Sequence, residues 1–149
     1  MQSLNQQIKW TIDQLQSKSA PNSLYIGRVL PNGLHTYNAG PTSASATIPG
    51  IVIPAGVTTA IFTMDLNYDR DLTEANNCQG FIDQFNVQVN GQNVSQTCKN
   101  TGGWTSIAVD LAGQIGTNVG VGLTFISNFN KNNGQGAWVD NLSISWTCK

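Results

Sequence analysis

Apolar residues recur at every second position in several short segments, and this alternation limits the possible folds more than any other feature. The clearest row is Ala60, Phe62, Met64, Leu66 and Tyr68. Successive side chains of a β-strand point to opposite faces, so such a row predicts a strand that is buried on one side. The segments predicted to be strands are 8–13, 23–27, 47–56, 58–68, 81–91, 104–111, 118–127 and 138–146.

About eight strands with polar turns between them predict an all-β protein, an antiparallel β-sandwich of the jelly-roll type. No helical periods separate the strands, which excludes βαβ units. The chain has 149 residues, enough for one domain with a substantial core.

Residues 1–15 allow two interpretations. Leu4, Ile8, Thr11 and Leu15 follow a heptad-like spacing, which predicts a short helix over residues 2–15, the remnant of an oligomeric stalk. The same segment also reads as the first strand, beginning at Ile8. We therefore divide the chain into an N-terminal segment, 1–15, and a jelly-roll binding domain, 16–149.

The composition excludes several classes of function. Charged residues make up 10% of the chain, and its seven Lys and Arg are scattered. Nucleic-acid binding needs a basic patch, which the sequence lacks. No apolar run approaches the roughly 18 residues of a membrane span. A surface of uncharged polar residues favours recognition through hydrogen bonds, as in many extracellular β proteins.

The first ten residues lack the basic and apolar regions of a secretory signal. This fits a domain of a longer exported chain, and a cytosolic protein is the alternative.

The three cysteines bear on the compartment. Cys78 comes just before a predicted strand and Cys98 just after it, so the strand and its return loop can bring the two thiols together. We predict a Cys78–Cys98 disulfide, which would indicate an oxidising compartment. Cys148 is left over, either free or bonded to another chain.

One carboxylate interrupts an apolar row near the end of the chain. Trp138, Asp140, Leu142, Ile144 and Trp146 share one face of a regular strand, and that face should be buried. A buried carboxylate is costly unless it is paired, hydrogen-bonded or bound to metal. Asp83 lies on a similar row, together with Phe85 and Val87. Either backbone N–H groups or a hard cation would satisfy such carboxylates.

The order of motifs resembles the jelly-roll modules of the MAM, cleaved-adhesin and "choice-of-anchor J" group, which occur in secreted bacterial proteins. The closing strand is also similar to that of carbohydrate-binding jelly rolls. The matching segments are "WTIDQLQSKSAPNSLYIG", "TYNAGPTSASATIPGIVIPAG", "DQFNVQVNG", "GGWTSIAVDLAGQIGTNVGVGLTF" and "GQGAWVDNLSIS". The resemblance implies a structural calcium ion held by Asp140, with Asp83 as a second ligand. The first-strand Glu of such modules is missing here, and Asp13 is its possible substitute.

A second acidic group, residues 65–77, does not match the spacing of an EF-hand, and we interpret it as a solvated loop. The single histidine, His35, is predicted to be solvated as well. Nothing in the sequence resembles a catalytic signature, so we expect no enzymatic activity.

Glycan recognition combines aromatic platforms with polar hydrogen-bonding groups. The candidate ligand-binding residues are Trp104, Tyr37 and Trp138, together with Asn130, Asn132 and Asn133 of a polar loop. For each aromatic residue, packing in the core or at its rim is the default interpretation, and ligand binding is the alternative.

The sequence thus predicts a non-catalytic module of an exported bacterial protein, at the cell surface or outside the cell, that binds a glycan or a cell-surface protein. Two alternatives stay open. One is a ligand-free accessory domain of a secreted protease. The other is the tip of a homotrimeric surface fibre.

Overall fold

The computed structural model describes residues 8–37, 41–71, 78–79, 83–128 and 133–149. Within these ranges the chain forms ten β-strands and one turn of 3-10 helix, Ala112–Gln114. The strands are β1 (Lys9–Asp13), β2 (Ser23–Val29), β3 (His35–Thr36), β4 (Thr42–Val52), β5 (Val57–Asp69), β6 (Gln84–Val89), β7 (Gln92–Thr97), β8 (Thr105–Asp110), β9 (Asn118–Ser127) and β10 (Gly136–Cys148).

The strands form two antiparallel sheets. The first sheet has the order β1-β2-β10-β5-β8, and β3 pairs with part of β2. The second sheet has the order β4-β9-β6-β7. The chain passes from one sheet to the other after β3, β4, β5, β7, β8 and β9. This arrangement confirms the predicted all-β sandwich of the jelly-roll type.

The core lies between the two sheets and follows the predicted alternation. Every second side chain of β5, from Ala60 to Tyr68, is at most 1% exposed. The facing row of β9 runs from Val119 to Phe125 and is equally buried. Burying apolar side chains of this size stabilises the fold by about 1.5–3 kcal/mol each, so these two rows provide much of the driving force for folding. Among the described residues, no helix is long and apolar enough to span a membrane.

Strand β7 differs from the prediction, in which residues 92–97 form the return loop to Cys98. Asn90 and Gly91 both have positive φ angles, 49° and 81°. Two such central residues make the type I′ turn that joins antiparallel strands in a tight hairpin. β7 therefore pairs directly with β6, opposite Phe85 and Val87.

Of the two interpretations of this segment, the strand is confirmed and the helix is wrong over Lys9–Asp13, which form β1 and pair with β2 from Gly27 to Ser23. Alternation prevails over the heptad-like spacing here because Trp10 shares the inner face with the buried Ile26. Residues 1–7 lie outside the described residues.

The row predicted to share one face of β10 is divided by a β-bulge. Between Asp140 and Ser143 the strand advances three residues while β5 advances two, and Asn141 has a φ of 51°. An extra residue in one strand reverses which face each later side chain occupies. Trp138 and Asp140 therefore lie on the outer face of the first sheet, and Ile144 lies on the inner face opposite Phe62. The prediction that Asp140 lies on an inward row is wrong for this reason.

The bulge yields a prediction about stability. A positive φ is rarely adopted by β-branched residues and is free of strain in glycine. Both Asn141→Val and Asn141→Gly remove the side-chain bond that Asn141 donates to Asp65. We expect Asn141→Val to be less stable than Asn141→Gly by about 1–2 kcal/mol. Urea unfolding of the two variants measures this difference, and equal stabilities would show that the left-handed conformation is not required.

Candidate functional site

The outer face of the first sheet carries a buried aromatic cluster formed by Tyr25, His35 and Trp138. The Trp138 ring centroid lies 4.9 Å from that of Tyr25 and 5.7 Å from that of His35. Asp13 joins the cluster from β1: its Oδ1 lies 2.9 Å from His35 Nε2, and its Oδ2 accepts a 2.8 Å bond from Trp138 Nε1. Trp138 is 0% exposed, so it offers no surface to a ligand, contrary to the prediction.

His35 is not solvated, as the sequence had suggested, because β3 pairs with β2 and carries the imidazole onto Tyr25. Only 5% of its side chain is exposed. Burial alone would raise the pKa of Asp13. The hydrogen bonds from His35 and Trp138, the charge of His35 and the bond from the Leu15 N–H outweigh burial and lower that pKa. Asp13 thus fastens β1 to β3 and β10.

A second buried network involves Tyr37 and Asp83, which lie between the ends of the two sheets. Tyr37 donates a 2.6 Å bond to Asp83 Oδ2 and accepts a 2.7 Å bond from the N–H of Asp71. Asp83 Oδ1 accepts a further bond from the N–H of Asn128. Tyr37 is 0% exposed, so its predicted role as a ligand platform is also wrong. Its pKa is raised, first by burial and then by the Asp83 carboxylate.

The acidic segment after β5 is only partly the solvated loop that was predicted. Arg70 and Asp71 are each 2% exposed. Asn100 fixes this turn, since its Oδ1 accepts the Arg70 N–H and its Nδ2 donates to Asp69. Residues 72–77 of this segment lie outside the described residues.

Asp140 holds the loop between β1 and β2. Its Oδ2 accepts backbone bonds from Lys18 (2.8 Å) and Ser19 (2.7 Å), and its Oδ1 accepts bonds from the Ser19 hydroxyl and the Asn141 N–H. Burial raises the pKa of Asp140, but these four bonds outweigh it and hold the pKa below the usual range. These are the contacts of a carboxylate that accepts N–H bonds and locks a loop.

The three carboxylates proposed as calcium ligands do not fit that ion. Asp13 accepts bonds from N–H groups, and Asp83 and Asp140 each accept bonds from N–H and O–H groups. Each of these carboxylates has its own set of donors among the described residues. Among the described residues, no group of three or more His, Cys, Asp or Glu side chains could hold a metal ion. Calcium typically needs six to eight oxygen ligands.

An open cleft lies between β7 and β8, which are edge strands of the second and first sheet. Register places Ser95 and Thr97 opposite the buried Val87 and Phe85, and Thr105 opposite the buried Leu66. These three hydroxyl side chains therefore face the space between the sheets, where the rest of the sandwich has apolar residues. The core ends before β7, whose inward positions are polar, and it includes β8 only through Ile107 and Val109.

The cleft has a volume of about 590 Å³. Among the described residues that line it, Lys99 is the one charged residue and two β8 residues, Ile107 and Ala108, are apolar, and carbon atoms contribute at least as much exposed surface as polar atoms do. The lining residues are Ser95, Thr97, Lys99, Asn100, Thr101, Thr105, Ser106, Ile107 and Ala108. In the part of the chain that the structure describes, the hydroxyls of Ser95, Thr97 and Thr105 make no hydrogen bond, so they are available to a ligand.

The floor of the cleft is held in place by the segment that connects β7 to β8. The predicted Cys78–Cys98 disulfide is present, with a Cα–Cα distance of 5.3 Å, and it fixes the residue just before Lys99. Thr101 then exchanges bonds with the backbone of Tyr68. The remaining cysteine, Cys148, is free and exposed.

The predicted ligand-binding residues that the structure describes do not form one cluster. Trp104 is half-buried just before Thr105, next to the cleft but not in its lining. Asn133 is exposed, and its N–H donates to Asp71 at the other network. Asn130 and Asn132 lie outside the described residues. The sequence analysis did not predict the cleft because it did not predict β7. The Asn90-Gly91 pair is the sequence signal that indicates the β6–β7 hairpin.

Comparison with known proteins gives only distant likenesses. No protein-family model and no curated protein matches the chain, so the resemblance to the MAM group stays a prediction. One similar solved structure is described as "Family 16 Carbohydrate Binding Module-2", with 12% identity, a TM-score of 0.48, and coverage of 95% of this chain and 88% of that chain.

Two others are family 35 carbohydrate-binding modules. The one from Paenibacillus barcinonensis has 14% identity, a TM-score of 0.41, and coverage of 91% and 88%. The one from an environmental isolate has 11% identity, a TM-score of 0.34, and coverage of 97% and 95%. Because these scores are low, we take the fold and the site from this chain's own residues.

The contacts of Asp140 predict a dependence of stability on pH. Its pKa in the folded chain is lowered, and an unfolded Asp has a pKa of about 3.9. The stabilisation is therefore complete above the unfolded pKa and is lost as the pH falls through the folded pKa. We expect Asp140→Asn to unfold more easily at neutral pH and to lose less stability below about pH 4 than the wild type. Urea unfolding from neutral to acid pH measures both, and parallel curves would contradict the assignment.

The calcium prediction has a direct test. A tightly held ion would raise the thermal midpoint by mass action. From the occupied carboxylates we expect the same midpoint in EDTA and in millimolar Ca²⁺. A midpoint that rises with Ca²⁺ and falls again with chelator would support the metal site instead.

Proposed function

We propose that this chain is a non-catalytic module that binds a glycan in the cleft between β7 and β8. The observation that carries the proposal is the row of hydroxyl side chains on inward positions of both edge strands. Ser95, Thr97 and Thr105 face the cleft without partners among the described residues. Their hydroxyls can each donate and accept a hydrogen bond, which matches the donor and acceptor character of sugar hydroxyls.

The size and polarity of the cleft support a small hydroxylated ligand. Ligand sites typically measure roughly 300–1,000 Å³, and the cleft lies within that range. Most such sites are lined by apolar side chains, whereas this one combines the polar groups of Ser, Thr, Asn and Lys with exposed carbon surface. A ligand rich in hydroxyls would gain more from this lining than an apolar ligand would. Trp104, next to the cleft, is placed to extend the contact.

The lining also favours binding over chemistry. Glycoside hydrolysis requires two carboxyl groups on either side of the scissile bond. The described residues that line the cleft include no carboxylate, imidazole or thiol, and Lys99 is the titratable side chain among them.

An exported protein at the cell surface or outside the cell is the setting that we propose. The Cys78–Cys98 disulfide supports an oxidising compartment. The low content of charged residues supports recognition by hydrogen bonds, and adhesion to a glycan-bearing surface is a use that needs no further chemistry.

The proposal predicts the effect of removing one hydroxyl. A broad glycan array identifies a bound oligosaccharide, and calorimetric titration with that oligosaccharide measures its affinity. Thr97→Val keeps the shape of the side chain and removes its hydroxyl, so we expect binding to weaken about fivefold. Thr47→Val is the matched control, because Thr47 is an exposed threonine on β4, the opposite edge of the same sheet.

The possible outcomes separate the alternatives. If no glycan on the array binds, the ligand-free accessory domain becomes the better interpretation. If a glycan binds but Thr97→Val and Ser95→Ala leave the affinity unchanged, the site lies elsewhere on the domain.

A further inference from the structure

We propose that two copies of this chain pair through the open edge of β10 and form one continuous sheet across a two-fold axis. This interface is separate from the cleft. β2 pairs with β10 only from Ala137 to Val139. From the bulge at Asn141 to Cys148, no described strand pairs with β10 on the side away from β5.

The backbone groups of this edge point outward at alternate residues. Ala60 of β5 accepts a bond from the N–H of Leu111, so its backbone groups are directed toward β8. Its neighbour Ile61 is then directed toward β10 and pairs with Ser145. Ile144 and Trp146 consequently direct their N–H and C=O groups to the open side. A partner strand would find the donors and acceptors of an ordinary antiparallel ladder there.

The other edges carry features that oppose such pairing, whereas on β10 the bulge at Asn141 comes before the open residues Ser143 to Thr147. Short strands, charges, prolines and bulges protect sheet edges. β1 has five residues, with Lys9 and Asp13 at its ends, and β4 contains Pro49. The β6–β7 ladder has a register shift, and β8 is short. The open part of β10, "NLSISWTC", has no charge and no proline.

Exposed apolar surface accompanies the open edge. Trp146 is 41% exposed and Leu142 is 36% exposed, and Ile144 is only half-buried. A second copy covers them well because the segment is complementary to itself. With Ser145 on the two-fold axis, Ile144 of each copy lies opposite Trp146 of the other. Pairs of aromatic and β-branched residues are among the favourable cross-strand pairs.

The direction of the backbone hydrogen-bonding groups restricts the register. Ser145 directs its backbone toward β5, so the pair on the axis is a non-hydrogen-bonded pair, and each Ile144–Trp146 pair is a hydrogen-bonded one. A shift by one residue would place outward groups opposite inward ones and lose the ladder.

Sedimentation equilibrium in the presence of a reductant tests the dimer. We expect the wild type to dimerise reversibly with concentration. Trp146→Lys places a charge at the centre of the interface, and we expect it to weaken association at least ~10-fold. Val94→Lys is the matched control, since Val94 is 46% exposed on the edge strand β7. A chain that stays monomeric at high concentration, a trimer, or a dimer indifferent to Trp146→Lys would overturn the proposal.

Cysteine cross-linking tests the register without perturbing the fold. In a Cys148→Ser background, Ser145→Cys puts two thiols on the axis in a non-hydrogen-bonded pair, at a Cα separation of about 4.5 Å that a disulfide can span. We expect it to oxidise to a covalent dimer. Ser143→Cys in the same background faces Thr147 of the other copy and should stay monomeric on a non-reducing gel. Equal cross-linking of both variants, or of neither, would overturn the register.

Discussion

The bulge at Asn141 determines what each half of β10 does, and much of the molecule depends on it. Before the bulge, β10 is enclosed on both sides and both faces: Val139 fills the core, Trp138 supports the outer cluster, and β2 and β5 supply hydrogen bonds. After it, the faces exchange and the strand continues with β5 alone. The carboxylate of Asp140 sits at this change, where the N–H groups of the β1–β2 loop are free to reach it. One residue in the left-handed conformation thus joins a fully packed strand to an open edge.

Sequence reasoning predicted the parts of the fold that rest on unbroken alternation. The row from Ala60 to Tyr68 needs only a period of two, and the structure reproduces it residue by residue. It predicted the disulfide because one strand and its return are enough to bring Cys78 and Cys98 together, and the β6–β7 hairpin does this in the structure. It failed at β10, since Asn141 gives no sign in the sequence that it adopts a positive φ, and an undetected extra residue reverses every later assignment. It also failed for Tyr37, Trp138 and His35, whose burial depends on contacts with Asp83, Asp13 and Tyr25 that lie far apart along the chain.

The candidate site could not be read from the sequence for a related reason. Serine and threonine are ordinary residues of exposed strands, and Ser95 or Thr97 has significance only because its register directs it between the sheets. Aromatic residues looked like the natural platforms for a ligand, yet the described ones lie mostly in the core or in the outer cluster, where their area stabilises the fold. Polar residues at inward positions of both edge strands are the more informative signal. They end the core early and leave a cleft whose hydroxyls have no partner within the described chain.

The cleft borders β8, the open edge belongs to β10, and β5 lies between these two strands in the first sheet. Pairing two copies through β10 therefore gives the strand order β8-β5-β10-β10-β5-β8 and leaves a cleft at each end of the joined sheet. A weak site with a few hydrogen bonds gains little affinity from its own contacts, because each bond contributes only about 0.5–1.5 kcal/mol after exchange with water. When two such sites are joined in one dimer, binding of the first site to a repetitive surface raises the effective concentration of the second site there. The uncharged open edge of β10 would then increase the affinity for a glycan-bearing surface, because it joins two weak sites into one bivalent dimer.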